Sequence, residues 1–355
     1  MSHSVNTTFI SDKTSKIRWK TDPFNDSNVF ITGSWDDENN NLKLWEFQEN
    51  KDDTDTYPFI LKSCAFQGDV TELQFVDLDS FVVSSSYGSV YLMRITSNEK
   101  ELIDIEACIN WNKIHNFSEN EVAPCTSLSC YKNDIVTCGE DGRINLLTSQ
   151  HQNIVYSNNN ADSCCINCVT FLKFNEVLTG NNRGLLKIWD FRQNQSSLCN
   201  SFILGQDQIA VTCVAVHPSQ QHILVTGDEE GSITVWDLRK NTFPVNLLTV
   251  HTESISEIMF HPDHPDHLFS CSTAGEIWHW LSSSPATNTH TKLLNLQETD
   301  HNPWYISDNV KNKLEVFNLM PKLHFPINSL DLSRDRVLCG CDNEAIYLIS
   351  NVNIN

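Results

Sequence analysis

The chain has 355 residues, a formal net charge of −21 and 13 cysteines, so it is long enough for two ordinary domains or one large all-β domain with a sizeable core. The acidic balance excludes a nucleic-acid surface or docking on anionic lipid, both of which need clustered Lys and Arg. An odd cysteine count with Cys168, Cys213 and Cys271 inside apolar runs excludes a secreted disulfide framework, and without a signal-peptide pattern over 1–10 or an apolar run approaching ~20 residues we expect no membrane span and a reducing compartment, the cytoplasm, the nucleus or their boundary.

Residues 5–10 (VNTTFI) favour β-structure and precede a cycle that recurs seven times: an alternating strand, a second strand ending in small residues, a turn and a third strand. The first cycle reads 16–19 (KIRW), 30–34 (FITGS) and 42–45 (LKLW). The second reads 70–75 (VTELQF), 81–85 (FVVSS) and 88–93 (GSVYLM). The third reads 125–128 (CTSL), 135–139 (IVTCG) and 141–147 (DGRINLL). The fourth and fifth nearly repeat each other, with 177–180 (VLTG) before 184–190 (GLLKIWD) and 224–227 (LVTG) before 231–237 (GSITVWD). The sixth reads 255–260 (ISEIMF), 268–272 (LFSCS) and 275–280 (GEIWHW), and the seventh 327–330 (INSL), 337–340 (VLCG) and 344–349 (EAIYLI).

A turn, an alternating strand and a terminal Trp-Asp mark one blade of a WD40-type β-propeller, a repeat of about 40–45 residues. The Trp-equivalent positions are Trp45, Met93, Leu147, Trp189, Trp236, Trp280 and Ile349, all large and apolar as an inter-blade packing position requires. The expected fold is therefore all-β: a single seven-bladed propeller over 1–355. The chain runs out just after the third strand of the last blade, so residues 1–10 are expected to supply its fourth strand and close the ring, removing the open edges of an array. Three loops break the cycle: 48–57 with Asp52, Asp53 and Asp55; 116–122 between blades two and three; and a long Ser/Thr/Asn-rich insertion in blade six, 282–313.

Chemistry-bearing residues favour structural roles. Cys165 and Cys168 form a C-x-x-C, but zinc needs about four ligands and the nearest second pair, Cys339 and Cys341, lies in another blade; buried small hydrophobes explain them better. The histidines of 261–267 (HPDHPDH) match the loop 217–222 (HPSQQH) one blade earlier, which points to shared turn chemistry. His251 precedes the first strand of blade six, where propellers keep a hydrogen-bonding His, but Ala274 stands where its acidic partner is expected. His279 falls at an apolar strand position as a satisfied core histidine. No Gly-x-Ser-x-Gly elbow or phosphate-cradling loop occurs, so no enzyme, metal or cofactor is expected. Arg192 and Arg239 complete tandem Trp-Asp-x-Arg motifs, which in some propellers dock on a cullin-ligase adaptor; the structural alternative is a strand-end Arg pairing with a carboxylate.

Beyond the repeat, the strings 32–36 (TGSWD), 138–146 (CGEDGRINL), 187–193 (KIWDFRQ), 217–222 (HPSQQH), 267–271 (HLFSC), 277–280 (IWHW) and 344–347 (EAIY) occur in an order that resembles one family. This is the family of small WD-repeat nucleoporins, named for a mass near forty-three kilodaltons, of the Y-shaped outer-ring complex of the nuclear pore. The resemblance covers nearly the whole chain and departs mainly in the 48–57 and 282–313 loops. It implies a non-catalytic scaffold subunit at the nuclear envelope, in a hetero-oligomeric complex with helical-solenoid and propeller nucleoporins, supporting pore assembly, protein import and mRNA export, with a kinetochore role in mitosis. Direct nucleic-acid binding and membrane insertion are not implied. The expected partner-binding residues are Asp52, Asp53 and Asp55, as loop carboxylates for basic segments, and Trp304 with Tyr305, as aromatic anchors. The alternatives are a cullin-type ubiquitin-ligase substrate receptor acting through Arg192 and Arg239, and a reader of peptides or histone tails.

Overall fold

A computed structural model of the chain describes all residues except 1–2, 22–26, 49–56, 98–102, 193–196, 204–207, 240–243, 245, 284–303, 305–312 and 355. Among the described residues there are seven four-stranded antiparallel sheets, one two-stranded hairpin and no helix. Strand β1 (Ser4–Phe9) stands apart from the strand that follows it in sequence. Blade one is then β2 (Thr14–Trp19), β3 (Val29–Ser34), β4 (Asn41–Phe47) and β5 (Pro58–Ala65); blade two is β6 (Val70–Phe75), β7 (Ser80–Ser85), β8 (Val90–Ser97) and β9 (Ile103–Trp111). The hairpin β10 (Asn116–Ser118) and β11 (Glu121–Val122) comes next. Blade three is β12 (Cys125–Tyr131), β13 (Asp134–Gly139), β14 (Ile144–Thr148) and β15 (His151–Asn158); blade four is β16 (Ile166–Lys173), β17 (Glu176–Asn181), β18 (Leu185–Asp190) and β19 (Ser197–Ile203). Blade five is β20 (Val211–Val216), β21 (Ile223–Asp228), β22 (Ser232–Asp237) and β23 (Asn246–Thr249); blade six is β24 (Ile255–Phe260), β25 (His267–Ser272), β26 (Ile277–Ser283) and β27 (Lys313–Asn318). Blade seven is β28 (Ile327–Ser333), β29 (Arg336–Cys341), β30 (Ala345–Ser350) and, from the other end of the chain, β1.

This is the expected seven-bladed propeller, closed by the N-terminal strand. β1 pairs antiparallel with β30 in continuous register from Ser4↔Ser350 to Phe9↔Ala345. The next residue, Ile10, is buried with Ile346 and Leu348 of blade seven and Ile17 and Trp45 of blade one, so the closing strand also carries apolar weight across the junction.

The core is seven separate clusters, and each sits at one junction between neighbouring blades. Each cluster holds one Trp-equivalent residue: Trp45 at blades seven/one, Met93 at one/two, Leu147 at two/three, Trp189 at three/four, Trp236 at four/five, Trp280 at five/six and Ile349 at six/seven. All seven are buried, none above 6% exposed. The Gly of the small-residue step serves the same junction. A Cβ on Gly33 would stand 2.4 Å from Val70 Cγ1, and one on Gly340 2.4 Å from Thr14 Cγ2, in each case the first strand of the next blade. Only glycine lets a second strand approach the first strand of the next blade this closely.

The meander gives the ring two unlike faces. We call upper the face that carries the turns between second and third strands and the connections between blades. The lower face carries the turns between first and second and between third and fourth strands. The first strand of every blade lines the central channel.

Candidate functional site

Every buried Trp at the repeat position has a hydroxyl acceptor on the neighbouring strand. The indole N–H donates from Trp45 to Thr32 (2.9 Å), Trp189 to Thr179 (3.0 Å), Trp236 to Thr226 (3.0 Å) and Trp280 to Ser270 (2.9 Å). Where the repeat position has no N–H, as at Met93 and Ile349, the equivalent neighbour is Val83 or Cys339. A buried donor needs a partner and an alkyl side chain does not, so these pairs hold blades together and leave no indole group for a ligand.

The channel is spanned on one side by charge. Arg18 of β2 reaches blades two, six and seven at once. Its Nη2 donates to Glu72 Oε1 (2.9 Å) and Glu257 Oε1 (2.5 Å), its Nη1 to Ser329 Oγ (2.9 Å) and its Nε to the Leu73 carbonyl (3.0 Å). Lys16 Nζ lies 3.2 Å from Glu72 and 3.5 Å from Glu257. Glu257 also accepts from Ser329 Oγ (2.7 Å) and Leu330 N (2.9 Å). Burial opposes the Glu257 charge, but Arg18 and Lys16 overcome it and pull its carboxyl down to about 2. Against blades three to five the channel wall is small, with Ser127, Thr170, Cys168 and Cys213, and a cavity of ≈ 540 Å³ remains in the channel between this wall and Lys16, Arg18, Glu72 and Glu257.

The lower-face histidines are turn caps. His217 Nδ1 accepts from Ser219 N (3.3 Å) and Gln220 N (3.1 Å), and His261 Nδ1 accepts from Asp263 N (3.2 Å) and His264 N (3.0 Å), the same geometry one blade apart. His267 Nδ1 and His279 Nε2 share a 2.7 Å hydrogen bond, and His279 stacks flat on Phe269 at 4.5 Å. Burial lowers His217 and His267 to about 4 and His279 to about 3. His251 is also lowered to about 4 by burial, against the pull of Glu276. Its ring bonds Ser270 Oγ (2.7 Å), and the acidic partner missing at Ala274 is supplied just past the turn by Glu276, 3.5 Å from Nδ1. These groups fold neutral but take a proton near 6.5 when unfolded. Their stabilisation is therefore fully present above pH 6.5 and is lost as pH falls toward 4, because the unfolded chain binds more protons there. Asp331, which burial raises to about 6, acts in the opposite sense, as do Asp228 and Asp134, whose carboxyls burial also raises, but all three titrate below the pH at which the histidines begin to count. Calorimetry is expected to show the melting temperature falling steeply between pH 7 and 5, with a shallower fall for His267→Leu with His279→Phe; a flat profile would count against neutral burial of the cluster.

Of the residues expected to bind partners, Trp304 is placed differently. It is 1% exposed and packs edge-on to Phe260 at 5.6 Å within the blade five/six cluster. Its ring serves the interior, because an indole in a polar insertion gains most by filling an apolar gap under the blade junction. Tyr305, Asp52, Asp53 and Asp55 lie outside the described residues. Arg192 and Arg239 each fold back on their own strand. Arg192 pairs with Asp190 through Nε (2.7 Å) and also reaches Glu176, and Arg239 pairs with Asp237 through Nε (3.0 Å) and Nη2 (2.8 Å). The cysteine pair is separated in role. Cys165 Sγ donates to Asn167 (3.1 Å), Cys168 lies inside the four/five cluster, and burial pushes the Cys165 thiol up to about 12. A thiol that stays protonated is a poor nucleophile and a poor metal ligand.

One feature escapes sequence reasoning. The 116–122 segment is an ordered hairpin on the upper face, rooted by His115, whose side chain is fully buried. His115 Nδ1 meets Asp141 Oδ1 at 2.9 Å and Nε2 meets Thr137 Oγ1 at 2.9 Å. Asn116 N donates to Asp141 Oδ2 (2.9 Å), His115 N to the Gly88 carbonyl (3.2 Å) and Ala123 N to the His115 carbonyl (3.3 Å). Burial opposes the charge of Asp141, yet the His115 contact and two backbone N–H groups hold its carboxyl below the usual range. This His–hydroxyl pairing matches His251–Ser270 in blade six, with Leu147 standing where blade six has Trp280, so no Trp-Asp marks it in the sequence.

Comparison with known proteins matches a WD domain, G-beta repeat, over residues 198–237. The chain is 36% identical to "Nucleoporin Nup43" of Mus musculus and 35% identical to "Nucleoporin Nup43" of Homo sapiens, each over 96% of this chain and 97% of the relative. It is also 26% identical to "Nuclear pore complex protein nup43" of Dictyostelium discoideum over 43% of this chain and 36% of the relative.

Proposed function

The chain belongs to the Nup43 family of nucleoporins, and from that premise we propose that it docks on helical-solenoid nucleoporins of the outer-ring Y complex, beside other propeller subunits. It is a non-catalytic WD-repeat scaffold protein of the nuclear pore complex. Through that docking it supports pore assembly, protein import and mRNA export, and in dividing cells a role at kinetochores. The observation that carries this reading is the end-to-end match, which spans all seven blades rather than the repeat alone. Physics agrees with it. A ring closed by β1 and cross-braced by Arg18 across four blades is a rigid body, and a rigid body docks with little ordering cost. The two Arg–Asp pairs are read as staples at strand ends. Affinity purification of the tagged full chain is expected to recover outer-ring nucleoporins in near-equal amounts. Recovery instead of a cullin and its adaptor, lost on Arg192→Ala with Arg239→Ala, would overturn the reading.

A further inference from the structure

We propose that the β10–β11 hairpin, together with Tyr87 in the neighbouring turn of blade two, is a docking knob for a solenoid helix pair that presents apolar side chains flanked by Lys or Arg; this rests on the reading that the partner is an outer-ring solenoid. Tyr87 is 55% exposed and Phe117 is 50% exposed. The segments that carry them are neighbours, because Gly88, next to Tyr87, accepts from His115 N at 3.2 Å and Phe117 follows two residues later. A Cβ on Gly88 would meet the His115 carbonyl at 2.3 Å, so the turn and the hairpin base are in direct contact. Exposed aromatic rings on a hydrogen-bonded base are the groups that anchor interfaces, whereas Leu78 and Phe174 lie on the lower face on different blades, Phe174 beside Tyr131 at 6.4 Å, and Phe325, exposed on the upper face, lies far round the ring between blades six and seven.

The root is rigid. His115, Asp141 and Thr137 lock the segment that carries Phe117, and the Tyr87 ring lies over Gly68, where a Cβ would meet its Cγ at 3.2 Å. Such a knob is pre-formed, so little conformational entropy is lost on docking. Its two short strands, Asn116–Ser118 and Glu121–Val122, are narrow enough to enter the groove between two packed helices, into which side-chain ridges fit. The surrounding charge selects the partner. Glu119, Glu121 and Glu140 are exposed around the knob against an exposed Lys113, and Arg143 is held by Asp141 at 3.3 Å. An apolar groove rimmed by basic side chains matches this pattern, and the match steers encounter.

The test uses the tagged full chain and the solenoid nucleoporins that co-purify with it. Tyr87→Ser with Phe117→Ser is expected to reduce their recovery at least tenfold with the melting temperature nearly unchanged, since both rings are half exposed. Glu119→Lys with Glu121→Lys is expected to weaken recovery and to make it less sensitive to salt. Leu78→Ser with Phe174→Ser is expected to leave it intact. Full recovery by the Tyr87/Phe117 variant, or loss confined to the Leu78/Phe174 variant, overturns the knob while leaving the scaffold reading in place. Failure of the unaltered chain to recover any outer-ring nucleoporin overturns the scaffold reading and the knob with it.

Discussion

Deletion of residues 1–10 is expected to lower the melting temperature by roughly 10 °C or more, or to leave the chain aggregated, since a loss of several kcal/mol in a domain this size shifts melting by that order. The deletion removes the whole β1 ladder, from Ser4↔Ser350 to Phe9↔Ala345, and the buried Ile10. What remains is β30 as a bare edge whose residues Ala345–Ile349 are all buried in the intact ring. An apolar edge strand with free backbone donors and acceptors is a template for pairing with other chains. A synthetic peptide covering 1–12, added in excess, is expected to restore part of the loss. Differential scanning calorimetry reads both effects, and a melting curve identical to the intact chain would mean that three strands suffice to hold blade seven.

Arg18→Ala is expected to destabilise the ring by about 3–5 kcal/mol, the usual result of removing one member of a buried ion network. The change strands Glu72 and Glu257, each with only 10% of its side chain exposed, beside a single Lys16. The deficit against the intact chain is expected to shrink on acidification: without Arg18 the Glu257 carboxyl no longer titrates near 2 and takes up a proton at a higher pH, which relieves its buried charge. Replacing the whole set with apolar residues (Lys16→Met, Arg18→Met, Glu72→Leu, Glu257→Leu) is expected to recover most of the stability, because desolvation offsets much of what buried pairs contribute. Denaturant unfolding of the single and fourfold variants decides it. A mild effect of Arg18→Ala alone, below about 1 kcal/mol as for exposed pairs, would mean that the channel admits enough water to screen the charges.

Much of the fold was legible in local pattern. Alternation, as in Val70–Phe75 and Ser232–Asp237, located the strands, although Ser232–Asp237 is buried along its whole length rather than on one face, because a third strand is covered by the blades on both sides, and the apolar residue closing each third strand landed in seven different junction clusters. The surface was harder to read. Trp304 sits in a Ser/Thr/Asn-rich insertion and reads as an exposed anchor, whereas Phe260 and the blade five/six junction draw it inside. Glu276, the acidic neighbour of His251, sits on the far side of Gly275 from Ala274, the position at which the repeat pattern places such a partner. His115 lies outside any strand, and its partners Thr137 and Asp141 come from the next blade.

By itself, the sequence determined what depends on near neighbours: the strands, their turns, the repeat and the apolar position that binds blade to blade. Those follow from the period-two placement of side chains and from turn residues, which are local properties. The Arg18–Glu257 bond joins residues 239 positions apart, and the β1–β30 ladder joins the two ends of the chain. Only closure of the ring brings such groups within a few ångströms. Tertiary structure therefore decided which charges cross the channel, which aromatic turns inward, and which rings, Tyr87 and Phe117 beside the hairpin and Phe325 between blades six and seven, are left exposed on the upper face.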